Sequence, residues 1–182
     1  MEAVKTLKRT LVLAVFTLLM VWHVALALPV HVIGPNSAAA ANVKVIVYDS
    51  TGTQVASGTT DSRGTVSLNI APGTYLFIVE YNSTVDAIDL QTIAASATSV
   101  TIDMSTLHKI SLLSSAVKVE VNVTETTTNV TRSYTTNESL VYTNDEITIA
   151  YPTEKTSFPY KYKLKQITYD TASATENKVT IT

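Results

Sequence analysis

Hydrophobic and polar residues alternate with a period of two over much of the chain that follows residue 42. Successive side chains of a β-strand point to opposite faces of the sheet, so this alternation predicts strands with one buried face. Residues 74–81 form the longest apolar run, and Tyr75, Phe77 and Val79 share one of its faces. The predicted strands occupy residues 43–48, 53–56, 65–70, 74–81, 85–93, 99–104, 117–123, 146–151, 160–169 and 178–182.

Glycine is concentrated in the part of the chain that contains the first four of these strands. Four of the five glycines lie within residues 47–81, at Gly52, Gly58, Gly64 and Gly73. Two of them end an Asp-x-x-Gly sequence, in which Asp can bond its own backbone and Gly can adopt a positive φ. The glycines are therefore predicted to be hairpin corners of an antiparallel β-sandwich, and their spacing matches no phosphate-binding loop. Asp49 and Asp61 are interpreted as turn residues rather than as calcium ligands.

The same segment carries the patterns D-x-x-G, T-D-x-x-G-x-V and P-G-x-Y-x-x-x-V. In these patterns it resembles the carboxypeptidase-regulatory-like, transthyretin-like β-sandwich modules, and it is similar to the collagen-binding B-type repeats of surface adhesins. The resemblance implies a transthyretin-like or Ig-like sandwich, commonly a non-catalytic spacer or display module on exported proteins. It covers residues 42–110 approximately and rests on Asp49, Gly52, Thr60, Asp61, Gly64, Val66, Pro72, Gly73, Tyr75 and Val79.

The N-terminal residues 1–27 have the pattern of an export signal. Three basic residues precede the apolar run Leu11–Val24, and small residues follow at Ala25 and Ala27. This order predicts a signal peptide that is cleaved before Leu28. The alternatives are an uncleaved membrane anchor, because the apolar stretch is about long enough to span a bilayer, and a retained pilin-type helix.

Residues 28–41 are predicted to form a short apolar N-terminal arm followed by a linker. An arm of this kind could add as a strand to the open sheet edge of a neighbouring molecule, with Val30 and Val32 as the donor-strand contacts. The competing interpretation is a disordered linker. After this segment we expect a β-sandwich over residues 42–107, and a second β-domain or strands that complete a larger sandwich over residues 108–182.

Composition and charge exclude several classes of function. Only 15% of the 182 residues are charged and the formal net charge is −2, so no basic surface for nucleic acid is expected. Cysteine is absent, and the three histidines do not have the spacing of a metal site. His108 is the only well-placed base and no serine lies in a G-x-S-x-G elbow, so neither an enzyme nor a cofactor is expected.

Four sequences of the type N-x-[ST] are candidate N-glycosylation sites in an exported protein. Three of the four fall within residues 122–139. Attached sugars would add solubility that the low charge density does not provide. The candidate asparagines are Asn82, Asn122, Asn129 and Asn137.

These features predict a secreted structural protein of the cell surface, a subunit of a filament, pilus or surface layer that assembles through β-strand contacts. Its expected partners are copies of itself or other surface proteins, and glycans are a further candidate. The membrane would be contacted only through the N-terminal segment. The alternative function is a membrane-displayed adhesion module that binds carbohydrate or protein, with an aromatic platform made by Tyr151, Tyr160, Tyr162 and Tyr169. A third hypothesis is an accessory domain of a larger secreted enzyme complex.

Overall fold

A computed structural model describes residues 27–114 and 117–152, and after them the strand segments 154–157, 160–163, 167–169, 172–174 and 178–181. This part of the chain is all-β, which confirms the predicted all-β class, and it contains no helix. The predicted signal or anchor helix lies outside the described residues. The strands are β1 (Ala27–Ile33), β2 (Lys44–Tyr48), β3 (Gln54–Thr59), β4 (Thr65–Asn69), β5 (Gly73–Asn82), β6 (Val85–Ile93), β7 (Val100–Asp103), β8 (His108–Ser111), β9 (Glu120–Glu125), β10 (Thr131–Thr135), β11 (Leu140–Thr143), β12 (Ile147–Ala150), β13 (Glu154–Ser157), β14 (Tyr160–Lys163), β15 (Ile167–Tyr169), β16 (Ala172–Ala174) and β17 (Lys178–Ile181).

Three sheets and two small ribbons contain these strands. The central sheet has six strands in the order β3-β2-β5-β6-β11-β8. A second sheet has the order β4-β1-β7 and a third has the order β10-β9-β12-β17, while β13–β14 and β15–β16 form separate two-stranded ribbons. The pairings are antiparallel except for β1 with β7 and β6 with β11, which are parallel.

The central sheet is covered on both faces, so the fold has three layers. The first hydrophobic core lies between the central sheet and β4-β1-β7, and the second lies between the central sheet and the sheet β10-β9-β12-β17. Strand β5 shows the consequence most clearly. Phe77 and Val79 face the first core, whereas Leu76 and Ile78 face the second, and all four are fully buried. A strand buried on both faces has a continuous apolar run, which explains why residues 76–79 of this strand are all apolar instead of alternating with polar residues.

The two halves of the predicted domain division share one sheet and one core in the structure. Strand β11, from the second half, pairs with β6 from the first half in the register Leu140↔Val85, Val141↔Asp86 and Tyr142↔Ala87. Apolar side chains from both halves also build the second core. Residues 108–152 therefore extend the central sheet and add a layer to it instead of folding on their own core.

Two of the predicted turns form by the chemistry that the sequence indicated. One Asp49 carboxylate oxygen accepts hydrogen bonds from the backbone N–H groups of Thr51 and Thr53, at 2.8 and 3.0 Å, and Gly52 has φ 77°. Asp61 accepts two such bonds in the same way, and Gly64 has φ 73°. Only the first of these turns closes a hairpin, because β2 pairs with β3 while β3 and β4 belong to different sheets.

The prediction that all four glycines are hairpin corners holds for Gly52 but is wrong for Gly58, Gly64 and Gly73. Gly58 lies inside β3, where a Cβ atom would come within 2.6 Å of Val66 Cγ2 and 3.2 Å of Leu68 Cδ2. Glycine is required there because β3 crosses close to β4. Gly73 begins β5, after a connection that leads from the second sheet into the central sheet.

Candidate functional site

Strand β1 occupies the place where the sequence predicted an arm and a linker. It lies between β4 and β7 as the middle strand of its sheet, with Val30 opposite both Val66 and Val100. Leu28, Val30 and Val32 are 4%, 0% and 1% exposed and belong to the first core. In this structure the apolar side chains of the segment therefore complete the fold of their own chain. Alternation within the segment could have indicated a strand, but not its partners.

The connection from β1 to β2 contains a tight turn and two strained residues. The N–H of Gly34 donates to the carbonyl of Ala38 at 2.7 Å, and the N–H of Ser37 donates to the carbonyl of Gly34 at 3.0 Å. Ser37 and Asn42 have φ 60° and 59°, in the left-handed region that residues other than glycine seldom adopt. Asn tolerates this region better than Ser, so the cost falls mainly on Ser37. The connection is consequently closed at some cost in backbone conformational energy.

A second feature, which the sequence analysis missed, is a network of charged side chains between the central sheet and β10. The Nη2 atom of Arg132 lies 2.6 Å from Glu80 Oε1 and 3.3 Å from Asp86 Oδ2. Tyr134 donates its hydroxyl to Asp86 Oδ2 at 2.9 Å, and Lys44 Nζ lies 3.4 Å from Glu80 Oε2. Charged residues inside otherwise apolar strands were the sequence signal that could have indicated this network. The two acidic partners of Arg132 lie 52 and 46 positions away in the sequence, so only the packing of β10 over the central sheet brings them together.

The surroundings shift the pKa values of the two carboxylates of this network in opposite directions. Burial raises the pKa of Asp86, and the hydrogen bonds from Tyr134 and Arg132 oppose this only in part. Burial also opposes ionisation of Glu80, but its bonds with Arg132 and Lys44 outweigh that effect and lower the pKa. Burial and the Asp86 carboxylate raise the pKa of Tyr134, so its hydroxyl remains a proton donor.

The network forms the floor of a polar cleft lined by residues 42, 44, 80–84, 86, 132–135, 138 and 139. The volume of the polar cleft is about 540 Å³. Two of the four candidate glycosylation sequences, Asn82-Ser83-Thr84 and Asn137-Glu138-Ser139, supply residues to its lining. They meet there because the N–H of Leu140 donates to the carbonyl of Thr84 at 2.8 Å.

All four candidate glycosylation asparagines are exposed. Asn82 Oδ1 accepts the N–H and the hydroxyl of Thr84, at 2.9 and 3.0 Å, so the sequence forms a local turn at the end of β5. Asn129 and Asn137 lie in turns with φ 58° and 66°. Asn122 lies on the outer face of β9, where its Oδ1 accepts the Ser133 hydroxyl at 2.8 Å. The three later sites, Asn122, Asn129 and Asn137, thus lie on or beside one layer, the sheet β10-β9-β12-β17.

The β9–β10 turn, which carries Asn129, is held by a buried carboxylate. Glu125 is 1% exposed, and its two oxygens accept the N–H of Thr127 at 2.7 Å, the N–H of Thr128 at 2.8 Å and the Thr128 hydroxyl at 2.6 Å. Burial opposes ionisation of this carboxyl, but the hydrogen bonds from Thr128 and Thr127 outweigh it and lower the pKa of Glu125.

Of the four tyrosines in the predicted aromatic platform, the structure describes the side chain of Tyr151. Tyr151 is half-buried and packs against the second core, and burial raises its pKa. The side chains of Tyr160, Tyr162 and Tyr169 lie outside the described residues. The structure therefore places Tyr151 as a core-packing residue, and the aromatic platform stays a prediction.

The rest of the described chain offers little other chemistry. Residues 27–114, 117–152 and the later strand segments hold no cluster of three or more histidine, cysteine or acidic side chains arranged for a metal ion. This part of the chain also includes no helix of the length and apolarity that a membrane crossing requires. His108 is exposed at the start of β8, and its backbone N–H donates to Asn144 Oδ1 at 3.1 Å.

Comparison of the chain with protein-family models, with curated proteins and with solved structures gave no match. The fold defines the class as an all-β protein with several sheets.

Proposed function

We propose that this protein is a secreted structural subunit of the cell surface, which builds a filament, pilus or surface layer by exchanging β1 between neighbouring copies. The observation that carries the proposal is the position of β1. The first strand of the described chain is a middle strand of its sheet, and its apolar side chains are buried. Export is proposed from the N-terminal leader, and the transthyretin-like resemblance is consistent with a non-catalytic surface role.

A strand in this position can be exchanged between copies without forming any type of contact that the monomer does not already have. Without β1, strands β4 and β7 would have no partner in their sheet, and Val45, Phe77 and Val79 of the first core would be uncovered. A copy of β1 from a neighbour would restore the same hydrogen bonds and the same burial. This is strand addition, in which backbone pairing gives affinity and alternate side-chain pockets give register.

The connection between β1 and β2 favours such an exchange. Opening residues 34–42 would release Ser37 from its left-handed conformation, and the bonds of the tight turn would be replaced by bonds to water. Short strained hinges promote exchange of terminal elements between identical chains. Each subunit that gives its strand to one neighbour and receives one from another extends an open polymer.

Paired cysteines distinguish a strand held by its own chain from one donated by a neighbour. His31 Nδ1 and Thr65 Oγ1 face each other across β1 and β4 at 2.9 Å, so the double variant His31→Cys and Thr65→Cys should form a disulfide. The natural chain has no cysteine that could interfere. Monomers should contain only intrachain disulfides. In polymers, the same disulfide should join neighbours and give a ladder on a non-reducing denaturing gel.

The matched control is Thr74→Cys with Thr92→Cys, whose hydroxyls face each other at 3.0 Å across β5 and β6 in the central sheet. These strands stay in one chain, so this disulfide should be intrachain in monomers and polymers alike. Polymers of the His31→Cys and Thr65→Cys variant whose disulfides are all intrachain would refute strand exchange while leaving assembly intact. A purified protein that remains monomeric at every concentration would refute the structural-subunit function itself.

A further inference from the structure

We propose that the polar cleft is a binding site for a neutral saccharide. The proposal goes beyond the structural function above and does not depend on it. With a volume of about 540 Å³, the polar cleft falls within the roughly 300–1,000 Å³ typical of small-molecule sites. None of its lining residues, all of which belong to the described chain, has an aliphatic side chain. A ligand of this cleft must therefore be recognised through hydrogen bonds.

The polar groups of the cleft are both donors and acceptors, and they are held in place. Arg132 uses Nη2 for both of its carboxylate bonds, so Nη1 and Nε retain donor capacity, and its side chain is 26% exposed. Glu80, 28% exposed, accepts from Arg132 and Lys44 and keeps further lone pairs. Because these side chains are already fixed by each other, a ligand pays little entropy to order them.

The chemistry of this set favours hydroxyl groups over other ligands. A sugar hydroxyl both donates and accepts, and its bonds to a guanidinium or a carboxylate are charge-assisted. Anions are disfavoured because Glu80, Asp86 and Glu138 all line the cleft. A metal ion is disfavoured because each of these acids already pairs with a basic side chain: Arg132, Lys44 or Lys118.

Two sources of saccharide fit this position. One is a glycan attached to Asn82 or Asn137, because both glycosylation sequences contribute to the lining of the cleft. The other is a saccharide of the surroundings, including a glycan of a neighbouring molecule. The chemistry is the same for both sources, so the experiment must separate them.

Protein made without glycosylation is the first sample, and methyl glycosides of glucose, galactose, mannose and N-acetylglucosamine are the probes. Amide NMR spectra should show concentration-dependent shifts confined to the cleft, at residues such as Asn42, Ser83 and Ser133. Replacing Ser83, which is exposed at the rim, by tryptophan should block the cleft and abolish the shifts. This variant changes no member of the buried network and keeps the Asn-x-Thr sequence.

Two arginine variants test the recognition itself. Arg132→Lys should weaken binding about tenfold, the effect of one lost charge-assisted hydrogen bond. Arg63→Lys, at an exposed turn outside the cleft, should leave binding unchanged. If Arg132→Lys disturbs the fold, which the same spectra report, the Ser83→Trp comparison still decides the question.

Protein purified from its natural source separates the two origins of the saccharide. Cleft signals already displaced from those of the unglycosylated protein, and insensitive to added glycoside, would identify an attached glycan as the occupant. Signals that match the unglycosylated protein and respond to glycoside would identify an external saccharide. The proposal is overturned if no glycoside at tens of millimolar shifts the cleft signals of unglycosylated protein, or if the shifts persist in Ser83→Trp.

Discussion

Glu125 offers a direct test of how a buried charge, to which the described residues supply no cationic partner, stabilises this fold. Glutamine at this position keeps the shape of the side chain but replaces one carboxylate oxygen by an N–H₂ group. The best orientation of the amide leaves its oxygen on Thr128, which is buried, and turns the N–H₂ group toward the N–H of Thr127. One of the three hydrogen bonds is then lost, and the other two become bonds to a neutral acceptor.

These losses determine how far the substitution should lower the free energy of unfolding. A hydrogen bond to a charged group contributes about 1.5–3 kcal/mol and a neutral one about 0.5–1.5 kcal/mol. One lost bond and two weakened bonds would cost more than about 3 kcal/mol, but removing a buried charge recovers part of this desolvation free energy. We expect Glu125→Gln to lower the free energy of unfolding at neutral pH by about 2–3 kcal/mol. Glu120→Gln, on the exposed side of the same strand, should change it by less than about 0.5 kcal/mol.

The pH dependence of the difference is the sharper part of the test. The pKa of Glu125 is lower in the folded protein than in the unfolded chain, so its stabilisation is complete above the unfolded pKa, about 4.3. It is lost as the pH falls through the folded pKa, where the wild-type carboxyl becomes protonated and resembles the amide. Urea unfolding at a series of pH values should therefore show a gap between wild type and Glu125→Gln that closes below pH ~4. An equal stability at pH ~7, or a gap that stays constant down to pH ~3, would refute this account of the turn.

Three further predictions concern other parts of the structure. Burial, with the neighbouring charges of Asp89 and Glu125, raises the pKa of Asp145 to about 6, so wild-type stability should fall as the pH rises from ~4 through 6. The amide oxygen of Asp145→Asn can still accept the N–H of Leu90, so this variant should lose that part of the pH profile in urea unfolding. Its free energy of unfolding at pH ~8 should be about 1 kcal/mol higher than that of the wild type after allowance for solvent screening. An unchanged pH profile would contradict the prediction. Gly58→Ala should lower the free energy of unfolding by about 1–3 kcal/mol, because its Cβ atom would overlap Val66 in a packed core, whereas Ser57→Ala on the exposed face should be nearly neutral in thermal unfolding. Peptide mass spectrometry of protein from its natural source should find glycans on the four exposed sequence-predicted asparagines and none on the equally exposed Asn69, and bare peptides throughout would exclude glycosylation.

The sequence by itself determined the local structure of this protein. Alternation of apolar and polar residues placed most strands, because the side-chain period of a strand is a property of the backbone and needs no partner. The turns at Asp49 and Asp61 could be predicted for a similar reason, since each carboxylate bonds to N–H groups only two and four residues away. The candidate glycosylation asparagines could also be found from local sequence alone.

Only the tertiary structure decided which strands pair and what the pairing brings together. Period two assigns a side chain to a face, but it does not identify the neighbouring strand, and so the place of β1 between β4 and β7 could not be predicted. The burial of β5 on both faces depended on the layer contributed by residues 108–152. Arg132 reaches Glu80 and Asp86 because β10 packs over the ends of β5 and β6, across separations of 52 and 46 positions in the sequence. Contacts at such separation are set by the packing of whole sheets, and a local pattern carries no information about them.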